Sequence, residues 1–137
     1  MDHNVINDPG LNEGIIASGG FITNNRIELD SWVDAVSLSG SYFVGNIIEG
    51  GGWDSVILTG SVTFMGNTVK DSVDIAVSLV PTVAFDRNFI SNSKIGIEGS
   101  GFIDDSTITG NKIGVQVTDS GFPTIAYGNH HILLQHL

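Results

Sequence analysis

Asp86, Arg87, Asp104 and Asp105 are the residues of this chain whose types and spacing best suit catalysis. Asp86 stands two residues before Asn88, and Asp104 stands two residues before Ser106. Arg87 and Asp105 each follow directly. If Asn88 and Ser106 occupy equivalent places on stacked layers, the two leading carboxylates lie one layer apart. That is close to the separation of roughly 5 Å at which paired carboxylates act on glycosidic bonds. The same oxygens could hold a calcium ion, the one cofactor these residues suggest. No histidine or lysine stands beside them to complete an acid–base set. The simpler expectation is a solvated Arg–Asp pair between layers.

A second constellation is Trp32 and Trp53, spaced 21 residues apart and each seven residues after an asparagine. Two indoles on successive layers would make a platform for sugar rings, with Asp34 and Asp54 close by to bond hydroxyls. Counted the same way, their column continues as Leu11, Asp74, Ile95 and Ile113, so packing at a corner beneath a loop is the plainer alternative. His130, His131 and His136 lack the further ligand and defined geometry of a metal site and read as an exposed terminal segment, so no metal ligands are assigned. Thr23, Thr63, Thr107, Thr109 and Thr124 do not fall in one unbroken column, which argues against a threonine-lined ice-binding face.

The elements that must position these residues are set by an asparagine column. Asn4, Asn25, Asn46, Asn67 and Asn88 recur every 21 residues, with Asn129 in a partial final turn. Two residues after each of the first five stands Ile6, Ile27, Ile48, Val69 or Ile90, and three residues before the last four of these stands Ile22, Phe43, Phe64 or Phe85. A second column of small residues, Gly14, Ala35, Ser55, Ala76, Gly96 and Gly114, precedes apolar ones. A fixed period of this length marks repeats that stack on one another. Alternation in Val36/Leu38 and Val56/Leu58 predicts strands, and a 21-residue unit leaves no room for crossover helices. Each strand must then pair with its equivalent one coil later. The expected fold is an all-β, single-stranded parallel β-helix of about six coils, with coils roughly 4.8 Å apart. Phe43, Phe64 and Phe85 should stack inside it. The asparagines should form a structural ladder at an inside bend, where their tolerance of left-handed backbone would be useful. The sixth coil is shorter, with Ser106 in the asparagine place.

Composition narrows the function classes. The 137 residues suffice for one domain, residues 1–137, with a tail at 130–137 expected to cap the C-terminal end. Fifteen acidic against five basic residues give a net charge of −10, which disfavours nucleic acid and anionic membrane surfaces. No cysteine is present, so disulfides and thiolate metal sites are excluded. The first residues have no basic and apolar leader pattern, and no apolar run is long enough for a membrane span. Of the last six residues, only a weak helical periodicity can be read.

Units such as Gly45-Asn46-Ile47-Ile48 and Gly66-Asn67-Thr68-Val69 resemble the right-handed parallel β-helix repeats of the pectate-lyase-like superfamily. The resemblance covers nearly the whole chain. It implies the right hand, in keeping with the general chirality of parallel crossovers. The superfamily it points to includes polysaccharide lyases, polygalacturonases, epimerases, phage tailspikes and non-catalytic surface modules. Its members are usually longer and carry an amphipathic cap, so the chain is expected to be a segment of a larger protein. Polygalacturonase-like enzymes place aspartates on neighbouring coils, and the lyases use a basic residue as general base, for which only Arg87 is near.

The expected function is a non-catalytic module of a secreted or surface protein that scaffolds or binds polysaccharide. A polysaccharide lyase, hydrolase or epimerase is the alternative. A third class is a self-assembling unit that associates end to end through its N-terminal coil, because an uncovered edge strand can pair with another chain.

Overall fold

A computed structural model describes residues 1–8, 15–29, 36–118, 124–127 and 134–136, the segments 125–127 and 134–136 through their backbone. Each coil contributes three short strands. The first has β1 (Val5–Asp8), β2 (Ile15–Ser18) and β3 (Phe21–Thr23). The second has β4 (Arg26–Leu29), β5 (Val36–Ser39) and β6 (Tyr42–Val44). The third has β7 (Ile47–Gly50), β8 (Asp54–Thr59) and β9 (Thr63–Met65). The fourth has β10 (Thr68–Lys70), β11 (Ile75–Leu79) and β12 (Ala84–Asp86). The fifth has β13 (Phe89–Ser91), β14 (Ile95–Gly99) and β15 (Phe102–Asp104). The sixth has β16 (Thr107–Thr109), β17 (Ile113–Val117) and β18 (Ile125–Tyr127), and β19 (Leu134–His136) follows.

Every strand pairs in parallel with its equivalent one coil away, giving three sheets of six, seven and six strands. Sheet 1 runs from β1 to β16, sheet 2 from β2 to β19, and sheet 3 from β3 to β18. The chain is therefore a parallel β-solenoid, and the described residues contain no helix, hence none long and apolar enough to cross a membrane. The 21-residue spacing holds from Val5 to Arg26 and onward through Phe89, then shortens to 18 where Phe89 pairs with Thr107. The tail segment Leu134–His136 is a strand in register with Val115–Val117, so this part of the weakly helical stretch adds a rung to sheet 2.

Strand alternation sends one set of side chains into a single core. Ile27, Ile48, Val69, Ile90 and Ile108 line it from sheet 1, and Val36, Val56, Val77, Ile97 and Val115 from sheet 2. Sheet 3 contributes Ile22, Phe43, Phe64, Phe85 and Ile103. The rings of Phe43, Phe64 and Phe85 stack at 5.5 and 5.4 Å, as the spacing predicts, because identical positions on successive coils are held at the strand repeat.

The bend from sheet 3 to sheet 1 differs from expectation in one respect. The left-handed conformation belongs to the residue before each asparagine: His3, Asn24, Gly45, Gly66, Arg87 and Asp105 all have φ between 39° and 68°. The asparagine itself stands directly before the next strand, and from Asn25 to Asn88 its side chain is buried. Arg87 and Asp105, read from the sequence as catalytic candidates, thus stand where a glycine or asparagine stands on other coils.

Candidate functional site

The asparagine column comes first because it governs what the rest can do. The backbone N–H of Asn25 donates to Asn46 Oδ1 at 2.8 Å, that of Asn46 to Asn67 Oδ1 at 2.9 Å, and that of Asn67 to Asn88 Oδ1 at 2.9 Å. Each Nδ2 reaches back across a coil: Asn46 to the Ile22 carbonyl, Asn67 to Phe43, and Asn88 to Phe64, all at 2.9 Å. Ser106 takes the asparagine's place on the sixth coil. Its Oγ accepts from Asn88 N–H at 3.0 Å and donates to Asp104 O within its own coil. Asn25, Asn46, Asn67 and Asn88 are buried with their donors and acceptors occupied, so the column consumes its own polar groups and offers none to a ligand. Asn4 joins at the exposed end, donating from its backbone to Asn25 Oδ1 at 3.0 Å. Asn129 lies outside the described residues.

Asp86 and Asp104 are register partners on β12 and β15, and both point outward because their neighbours Phe85 and Ile103 point in. Asp86 Oδ2 accepts from Arg87 Nε at 2.8 Å, and the guanidinium rests 3.0 Å from Met65 Sδ. Asp104 and Asp105 are exposed. The two carboxylates are thus brought to one face, one coil apart, with one of them held by the adjacent arginine. Among the described residues no group of three or more His, Cys, Asp or Glu side chains is placed to hold a metal ion.

The aromatic constellation is visible in half. Trp32 and Asp34 lie outside the described residues. Trp53 precedes β8 at the corner between sheets 1 and 2 and is 67% exposed. Its column is not the one counted from the sequence. Ile75 N–H bonds the Trp53 carbonyl, Ile95 N–H bonds Asp74, and Ile113 N–H bonds Lys94. The stack beneath Trp53 is therefore Asp74, then Lys94, while Ile95 and Ile113 belong to the neighbouring column with Asp54 and Ile75. The bend after Asn88 is one residue shorter than that after Asn67, which shifts the count.

To Asp54 this register adds polar groups that the sequence did not single out, Ser78, Lys94, Glu98 and Gln116. Asp54 Oδ1 accepts from Ser78 Oγ at 2.7 Å. Glu98 Oε2 accepts from Gln116 Nε2 at 3.0 Å. Lys94 Nζ lies 2.9 Å from Asp74 Oδ1, yet that buried oxygen receives no hydrogen bond of acceptable angle, so the contact is an ion pair only. Partial burial raises the Glu98 carboxyl above its ordinary pKa, and the charges of Asp54 and Asp74 raise it further. Sheet 2 and the bend leading into it thus carry an indole, three carboxylates, a hydroxyl and an amide across four coils, from Trp53 to Gln116. Glu98 and Gln116 share a column with Ser78, which can be counted only once the 20- and 18-residue loop steps are known.

Sheet 1 is closed off by a ladder of charges. Arg26 Nε bonds Glu28 Oε1 at 2.6 Å, and Glu49 pairs with both Arg26 and Lys70. The Lys70 contact, then Arg26, holds the Glu49 carboxyl below its usual range against the opposing effect of desolvation. Like-for-like neutralisation of this kind is how an outward sheet face stays wet and unpaired.

Comparison of the chain with protein-family models, with curated proteins and with solved structures returned no match.

Proposed function

We propose that this chain is a non-catalytic β-helix module that binds carbohydrate through the outer face of sheet 2. The observation that carries the reading is Trp53, two-thirds exposed beside Asp54 and over the Asp74–Lys94 pair. An exposed indole has no packing reason to be there, and its flat apolar face suits the C–H face of a sugar ring. Asp54, next to it in sequence, and Glu98, two coils further on, supply acceptors that suit hydroxyls, the usual division between apolar contact and a few oriented polar groups. With a net charge of −10, a neutral glycan is favoured over a uronate polymer. The repeats support a place near the pectate-lyase-like superfamily and a right-handed helix, and such a module fits a secreted or surface protein. Binding is favoured over catalysis because Asp86, the better-buried of the paired aspartates, is engaged by Arg87.

The test is a panel of neutral and acidic polysaccharides, scored by calorimetry for binding and by new reducing or unsaturated ends for turnover. Binding to a neutral glycan, lost at least tenfold in Trp53→Ala with no products formed, is the expected result. No binding to any member would end the reading. Products that vanish in Asp104→Asn would replace it with the enzymatic alternative.

A further inference from the structure

The outer face of sheet 3 carries an apolar column of graded size. Reading across register partners from β3 to β15, the residues are Phe21, Tyr42, Thr63, Ala84 and Phe102. Phe21 and Tyr42 are 68% and 49% exposed, and their rings stack at 4.8 Å and 17°. They form a ridge two strands wide. Thr63 and Ala84 follow as a trough two strands wide, with Phe102 (56% exposed) on the next strand. An open depression of about 390 Å³ adjoins the trough, lined by Tyr42, Thr63 and Ala84 together with residues of the bend that leads into sheet 3. Alongside runs a second outward column in which Val44 and Met65 are register partners, Met65 carrying the Arg87 guanidinium and Asp86 following on the next strand.

We infer that this face is self-complementary and that its partner is a second copy of the same chain. Consider a two-fold axis in the interface plane, parallel to the strands and lying between β6 and β9. It places Phe21 of one copy on Ala84 of the other, Tyr42 on Thr63, and Val44 on Met65. Each ridge fills the other copy's trough, and each contact occurs twice, as an isologous interface requires. No other simple placement does this: an axis between β9 and β12 sets Tyr42 against Phe102 and leaves the small residues facing each other. Strand directions stay aligned across the interface, the arrangement in which sheets pack face to face at about 10 Å.

The size of the face sets the strength. Four strands at about 4.8 Å and two outward positions per strand bury a few hundred Å² on each copy, below the roughly 800 Å² per partner of a stable complex. The dimer is therefore a weak one, with a dissociation constant in roughly the high-micromolar to millimolar range. Two chains of charge −10 also repel, so salt should tighten the apolar contact by screening.

Sedimentation equilibrium of the whole chain, from about 20 µM to 1 mM in low and in roughly 0.5 M salt, reads this directly. Self-association that strengthens with salt is expected. It should weaken at least tenfold in Ala84→Trp, which fills the trough, and in Phe21→Ser, which removes the ridge. Val5→Lys, an exposed change on sheet 1, should leave it unaltered. Thermal melts check that each variant folds, and if Ala84→Trp does not, Phe21→Ser decides. A monomer throughout, a dimer that survives Phe21→Ser, or one equally lost in Val5→Lys would overturn the inference.

Discussion

Replacing Asn67 by alanine tests the ladder at its centre. The Asn67 side chain does two things that alanine cannot. Its Oδ1 accepts the Asn46 backbone N–H at 2.9 Å, and its Nδ2 donates to the Phe43 carbonyl at 2.9 Å. Each bond contributes about 0.5 kcal/mol net, the low end for such bonds, and leaving a buried N–H without an acceptor adds about 1–3 kcal/mol. The expected loss is about 2–4 kcal/mol. At about 2.1 cal/mol/K per residue over 137 residues, that is a fall in Tm of roughly 7–14 °C. The molecule contains its own intermediate case. Ser106 Oγ satisfies the Asn88 N–H and donates to the Asp104 carbonyl in its own coil. Asn67→Ser should therefore cost about half as much as alanine, on the order of 1–2 kcal/mol. Asn67→Leu should be worse than alanine, because it also overfills the bend. Urea titrations of the three variants give the ranking. A leucine variant as stable as the parent, or serine no better than alanine, would mean that the side chain points away from the turn and the reasoning fails.

Three further outcomes follow from the same structure. Phe64→Ala removes the middle ring of the interior stack and should cost about 3–5 kcal/mol in a denaturant titration. Gly66→Ala meets open space but a φ of +63°, so it should cost about 1–2 kcal/mol, whereas at Gly99, φ +128°, a Cβ would collide with the Leu79 carbonyl and the loss should be several-fold larger, as paired thermal melts would show. Glu98 binds its proton more tightly folded than unfolded, so it favours the fold at low pH and that contribution is lost as pH rises from the ordinary glutamate range through its raised folded pKa. Glu98→Gln should accordingly stabilise the chain at pH 7 and flatten that dependence, and a variant less stable than the parent at pH 7 would show that the carboxylate's bond from Gln116 outweighs its repulsion by Asp54 and Asp74.

What the sequence made legible was whatever repeats with constant spacing. The ladder and the Phe43–Phe64–Phe85 stack sit on one side of each coil, where the step is 21 residues from Asn4 to Asn88, and that constant step is what made the parallel pairing readable. The outer faces were read less well, for two physical reasons. Bend lengths between sheets 1 and 2 vary by a residue from coil to coil, which moved Ile95 and Ile113 out of the Trp53 column and hid the column of Ser78, Glu98 and Gln116. The left-handed bend residue is defined by conformation, and His3, Asn24, Gly45, Arg87 and Asp105 have no side-chain feature in common. The ridge of Phe21 and Tyr42 went unread because an exposed aromatic and a buried one look alike until the inward side of the strand is known.

The central claim is that the asparagines are internal architecture and the outer sheet faces are what the molecule presents to others. Amide hydrogen exchange at Asn25, Asn46, Asn67 and Asn88 tests it most directly, since a bend amide without a buried acceptor exchanges quickly. The account predicts protection at Asn46, Asn67 and Asn88 equal to that of the neighbouring core residues Ile48, Val69 and Ile90. Exchange at those asparagines much faster than at Ile48, Val69 and Ile90 would contradict it.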